Sequence, residues 1–108
     1  MGDRISISFK NGEAESVSLF HHWGGMSFLD EALEYVNNLT EDITNGNMDN
    51  TYPLGRLEPA TVMVDFIRFL TKDMKRVNHN LYLGKDKNDG DDSDNGHYII
   101  DLGTKKIL

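Results

Sequence analysis

The sequence predicts an α+β protein with two helices packed on one face of an antiparallel sheet, in the order β-β-α-α-β-β. Three observations lead there. An alternating apolar run meets Asn11-Gly12 near the N-terminus, two central segments carry apolar residues at helical spacing, and short apolar runs return near the C-terminus.

The elements follow in order. Ile5, Ile7 and Phe9 alternate with Arg4, Ser6, Ser8 and Lys10, the pattern of a half-buried strand. Asn11-Gly12 is a strong hairpin signal, and Glu13 to Phe20 is the returning strand. A two-residue turn would put Val17 and Leu19 on the wrong face. One extra loop residue pairs Ile7 with Val17 and Ile5 with Leu19, which predicts a bulge with Gly12 in the left-handed region. Ser27 is the expected helix N-cap, with Asp30 three residues on. Leu29, Ala32, Leu33, Val36, Leu39 and Ile43 then form one helical face, and Asn45-Gly46 ends it. Gly46 to Leu57, with Pro53, is a connecting loop. Pro59 opens a second helix whose apolar residues are interrupted only by Asp65 and Arg68, spaced for an ion pair. Leu81 to Gly84 and His97 to Leu102 are the later strands, with an optional short fifth strand ending at Ile107 and Leu108.

With 108 residues, 38% of them hydrophobic and 27% charged, the chain suits a single domain over 1–108 with its own core. It has no cysteine, which excludes disulfides, thiolate metal sites and cysteine nucleophiles. The N-terminus lacks the charged and apolar regions of a signal peptide, so a cytoplasmic location is expected. A formal charge of −7 disfavours binding to nucleic acid phosphates and to anionic membranes, both of which draw on lysine and arginine.

Two segments could carry chemistry. The first is an acidic stretch at 85–96, expected to be a flexible, solvated hairpin loop. Within it Asp89, Asp91, Ser93 and Asn95 alternate as oxygen donors do in a calcium loop, with Asp92 and Asp94 beside them. The match to a helix–loop–helix calcium site fails at the sixth position, where Asp94 stands for glycine, and at the twelfth, which is Ile100. Asp89, Asp91, Ser93 and Asp94 remain the candidate metal ligands, with calcium as the ion. His97 could join them for a transition metal, although His79 and His97 read more simply as loop histidines.

The second is His21-His22-Trp23-Gly24-Gly25, between a strand and a helix N-terminus, where free N–H groups and the helix dipole could hold an anion. Adjacent residues on extended backbone face opposite ways, so His21 and His22 should not chelate one metal together. The structural alternative has Trp23 anchoring the hairpin to the core while the glycines reverse the chain. The segment matches neither a Walker loop nor a dinucleotide fingerprint.

No nucleophile elbow or other enzyme signature occurs, so the sequence favours a non-catalytic protein-interaction module. Its second helix is apolar on more than one face, which places Val64 and Ile67 on a self-association surface. The expected partner is a second copy or a protein with a basic surface, which an acidic chain could also engage as a nucleic-acid mimic. The alternatives are calcium binding through the 86–95 loop, and a small enzyme or anion-binding protein built on His21 to Gly25.

Overall fold

The computed structural model describes residues 2–46, 56–77 and 80–108. Most of the expected connecting loop from Gly46 to Leu57, including Pro53, lies outside the described residues, as does His79.

The fold is α+β, with strands β1 (Ile5–Asn11), β2 (Ala14–Glu15), β3 (Ser18–His21), β4 (Leu81–Gly84), β5 (His97–Asp101) and β6 (Lys106–Ile107). Helix α1 (Gly25–Thr44) follows β3 and helix α2 (Pro59–Thr71) precedes β4. The optional C-terminal strand is β6. The sheet runs β4-β3-β1-β5-β6, with the two-residue β2 beside the end of β1. Ile5, Ile7 and Phe9 of β1, Leu19 of β3 and Ile100 of β5 turn to one face and are fully or almost fully buried. They meet Phe28, Leu29, Ala32, Val36 and Leu39 of α1 and Val62, Met63 and Phe66 of α2 in one apolar cluster. Phe66 seals the centre, its ring edge-on to Phe9 at 5.6 Å and 5.1 Å from Tyr35.

Four details differ from the sequence expectation. First, the sheet is mixed, because β5 pairs parallel to the central β1, with Ser6 beside His97 and Phe9 beside Ile100. Alternation reports which face a residue occupies and not which strand lies beside it. Second, β4 and β5 are not a hairpin. They sit on opposite sides of the β3-β1 pair, and residues 85–96 cross behind the sheet to join them.

Third, the N-terminal hairpin has Gly12-Glu13 as its turn, with Asn11 opposite Ala14, and Gly12 takes a positive φ of 64°. The extra residue enters later, at Ser16-Val17. The Ser16 N–H donates to the Phe9 carbonyl at 2.8 Å while its Oγ accepts from the Phe9 N–H at 3.0 Å. One serine thus satisfies both backbone groups of Phe9, and Val17 swings outward to 43% exposure. The register beyond the bulge pairs Ile7 with Leu19 and Ile5 with His21. Leu19 joins Ile5 and Ile7 on the buried face as predicted, but Val17 does not, and the device that sets the register is a mid-strand bulge.

Fourth, α1 starts at Gly25, two residues before the expected Ser27 cap, with Gly24 at the N-cap and no side-chain capping bond. The Phe28 N–H donates to the Gly24 carbonyl, which closes the first turn early and drives the Phe28 ring beneath the helix. The helix ends as predicted, with Gly46 at φ 76° and its N–H on the Ile43 carbonyl.

Candidate functional site

Four places hold polar or exposed apolar groups in defined arrangements. The first is the turn before α1. His21 and His22 face opposite ways, as extended backbone requires. The His21 ring leans on Phe28 at 5.0 Å, and its Nδ1 accepts the Trp23 N–H at 3.0 Å. The His22 ring lies 5.3 Å from Tyr82 on the back of the sheet. Burial, then the charge of His22, holds the His21 imidazole below its ordinary pKa of 6.5. Trp23 is not a core anchor. It is 58% exposed, because the backbone reversal at Gly24-Gly25 turns it outward and Phe28 fills the apolar position instead.

The helix N-terminus already faces a carboxylate. The Gly25 N–H donates to the Asp3 carbonyl at 2.9 Å, and a β-carbon on Gly25 would collide with the Asp3 carboxylate. Asp3 is itself held by the Asn95 amide at 2.7 Å. A bound anion at this helix end would therefore compete with a side chain of the protein itself.

The second place is the back of the sheet. Ser6, Ser8 and Ser18 are fully or nearly fully buried, and Phe20 is fully buried away from the helices. Residues 85–96 reach Ser6 through Asp92 and Phe20 through Gly90. Phe20 stacks on Tyr82 with centroids 4.9 Å apart and planes 6° from parallel. Gly84 and Gly90 both approach that ring so closely that a β-carbon on either would fall under 3 Å from it. The Tyr82 hydroxyl accepts the Asp91 N–H at 2.9 Å, and the Arg4 carbonyl accepts the Asn95 N–H at 2.9 Å.

The acidic side chains mostly serve this segment. Asp89 accepts the Lys85 N–H at 3.0 Å. Asp91 accepts the Ser93 N–H at 3.0 Å and meets Arg4 Nε at 3.2 Å. The Ser93 bonds, foremost, lower the Asp91 pKa, with Arg4 adding to the effect. Asp94 takes the Arg4 N–H at 2.9 Å and lies 3.5 Å from its guanidinium. Among the described residues, no group of three or more histidine, aspartate or glutamate side chains converges as a metal site would require. Asp89 turns to the Lys85 N–H, whereas Asp91, which also takes the Ser93 N–H, and Asp94 both turn to Arg4.

Under the same segment runs a polar row. The Ser6 hydroxyl donates to Asp92 at 2.7 Å and lies 2.7 Å from His97 Nδ1. The Ser8 hydroxyl donates to Glu15 at 2.8 Å and lies 3.3 Å from His97 Nε2. Two hydroxyl protons and one ring proton serve four contacts, so a neutral ring leaves one contact without a proton. The long contact at Nε2 is that one, which places the ring proton on Nδ1. Burial lowers the His97 pKa from 6.5. Asp92 and Glu15 oppose the shift, and Lys87 adds to it. Asp92, Ser6 and His97 thus form one connected chain, and Ser8 with Glu15 forms a separate pair beside it. Both serines are fully buried, so neither hydroxyl lies open to solvent.

The third place is an open cleft of about 190 Å³ between the helices, bordered by Tyr35, Asn38, Asp42, Asp65 and Arg68. The expected Asp65–Arg68 ion pair forms at 2.9 Å. The sequence reading missed Tyr35, whose hydroxyl donates to the same carboxylate at 2.5 Å. Burial, then the Asp65 bond, drives the Tyr35 pKa far up. Burial pushes Asp65 up as well, but the bonds from Arg68 and Tyr35 outweigh it and leave its pKa lowered. A phenol held protonated by a neighbouring carboxylate is a poor base, so the trio fastens α1 to α2.

The fourth place is the sheet edge at β4. Leu81 and Leu83 lie opposite His21 and Leu19 and so face the helix side. With Leu19, Ile67, Val77 and Tyr82 they line an apolar groove of about 250 Å³. Leu83 is 54% exposed, and Val77 also lies open. Ile67 is half-buried in the groove wall, whereas Val64 stands outside it on the exposed face of α2, at 66%.

No protein-family model, curated protein or solved structure matches this chain. Among the described residues, no helix is long and apolar enough to cross a membrane.

Proposed function

We propose that the chain is a non-catalytic protein-interaction module that meets its partner at the α2–β4 side of the fold. The observation that carries this reading is the groove over Leu19, Ile67, Leu81 and Leu83, an apolar opening beside a sheet edge. Interface cores are depleted of charge and rich in apolar side chains, and this opening has that composition. Ile67, expected on an interaction surface, lines it. The polar clusters support the same reading from the other side, because their donors and carboxylates satisfy one another within the chain. Calcium binding by the acidic segment would have to draw Asp91 and Asp94 away from Arg4.

The test is capture of partners by the full chain, followed by the exposed variant Leu83→Glu. Partner binding should be lost in Leu83→Glu and retained in Tyr35→Phe, which alters the cleft on another face. Equal capture by Leu83→Glu would contradict the reading.

A further inference from the structure

We infer that the occupant of the β4 edge is an extended acidic segment of another protein, which joins the sheet as an additional strand. This rests on the interaction reading above and specifies its partner. The backbone argues first. The His22 N–H donates to the Asn80 carbonyl, so hydrogen-bonded pairs along the β3–β4 ladder fall at Asn80, Tyr82 and Gly84. The N–H and C=O groups of Leu81 and Leu83 then turn to the outer edge, where no strand pairs with them among the described residues. The same two residues turn their side chains to the groove. An added strand would find backbone partners and apolar pockets at alternate positions, as strand-addition complexes use them.

Charge then selects the partner. Residues 75–89 carry Lys75, Arg76, Lys85 and Lys87 against Asp86 and Asp89, a net of +2, while the other residues together carry −9. The cations precede and follow β4, so they flank both ends of the edge. Lysines beside a short strand guard it against its own kind. Antiparallel pairing of β4 with a second copy would bring Lys75 and Arg76 of one chain toward Lys85 and Lys87 of the other. An acidic segment meets opposite charge at both ends, and like charge across an interface suppresses the wrong partner.

The test uses the full chain and three synthetic peptides in amide-resolved NMR titrations. The first alternates valine and threonine between glutamate pairs. The second replaces the glutamates by lysine, and the third keeps the glutamates but has alternate backbone nitrogens methylated. The glutamate peptide should shift Leu81 to Gly84 and the Ile67 methyls, with binding that weakens as salt rises. The lysine peptide should bind about tenfold more weakly, as a few exposed ion pairs would give. The methylated peptide should not bind, because it cannot complete the ladder. Equal or tighter binding of the lysine peptide, shifts away from β4, or no binding of the glutamate peptide at millimolar concentration would each overturn the inference. If a captured partner or a dimer of the chain is lost in Leu83→Glu while the glutamate peptide fails, the module stands and the acidic strand falls. If Leu83→Glu changes neither, both fall.

Discussion

Gly90→Ala is the sharpest perturbation of the packed back face. A β-carbon there would lie 2.7 Å from Phe20 Cε2 and 2.8 Å from two further ring carbons. Carbon atoms settle at about 3.5–4.0 Å, so ring and segment must separate by roughly 1 Å. The ring cannot supply that movement. It is fully buried, it stacks on Tyr82, and Gly84 closes on it from another side. The segment must therefore lift, which strains the Asp91 N–H bond to Tyr82. Overpacking of this kind costs about 1–3 kcal/mol, and a domain of this size loses about 4–8 °C of Tm per kcal/mol. Urea unfolding followed by circular dichroism should show a loss near 2 kcal/mol. Gly103→Ala is the control, since its β-carbon would meet nothing closer than 3.4 Å and its φ is ordinary. A Gly90→Ala midpoint equal to that of Gly103→Ala would refute the packing described for residues 85–96.

Protonation gives a second prediction. His97 and His21 both have pKa values lowered from 6.5 by burial, so the folded state holds their protons less tightly than the unfolded chain. Their stabilising contribution is complete above pH 6.5 and falls away as pH drops through the lowered values. Tm should decline from pH 7 toward pH 5, with a shallower slope in His97→Gln; a slope unchanged by that substitution would remove His97 from the cause. Tyr35→Phe should cost about 1.5–3 kcal/mol, as loss of one hydrogen bond to a carboxylate does, and should raise the Asp65 pKa in a carboxyl NMR titration. An unshifted Asp65 would mean that the phenol does not hold it. Calcium at one equivalent should leave the resonances of Asp89, Asp91, Ser93 and Asp94 in place, because their carboxylates and backbone are engaged within the chain. Saturating shifts there would establish a cation site.

Local pattern made most elements legible in advance. Ile5, Ile7 and Phe9 defined β1 and its buried face, Pro59 marked the start of α2, and Asn45-Gly46 marked the end of α1. Neighbourhood was harder to read. The parallel pairing of β5 with β1 depends on contacts such as His97 with Ser6, which join residues about ninety positions apart. The buried back face left one signal that could have been used. The outward positions of the first hairpin include Ser6, Ser8 and Ser18, small hydroxyl residues that fit beneath a cover. Long charged side chains would suit an open face better. Phe20 gave the same hint, because its parity sets it opposite Leu19 on the side away from the helices. The acidic composition of 85–96 concealed its packing, since its close approach to Phe20 is made by Gly90, beside Gly84 of β4, and by no apolar residue of its own. Tyr35 was missed because its ring extends the apolar face of Ala32, Val36 and Leu39, while its hydroxyl reaches α2.

Residue-resolved amide hydrogen exchange tests the division of the surface into a covered back and an open edge most directly. The N–H groups of Asp91, Asn95 and Gly96 have acceptors in Tyr82, Arg4 and Asp92, so they should exchange slowly, within reach of the β1 ladder. Those of Leu81 and Leu83 should exchange fast and become protected only when a partner strand is added. Free exchange across residues 85–96, with Leu81 and Leu83 already protected in the isolated chain, would contradict both the cover and the docking edge.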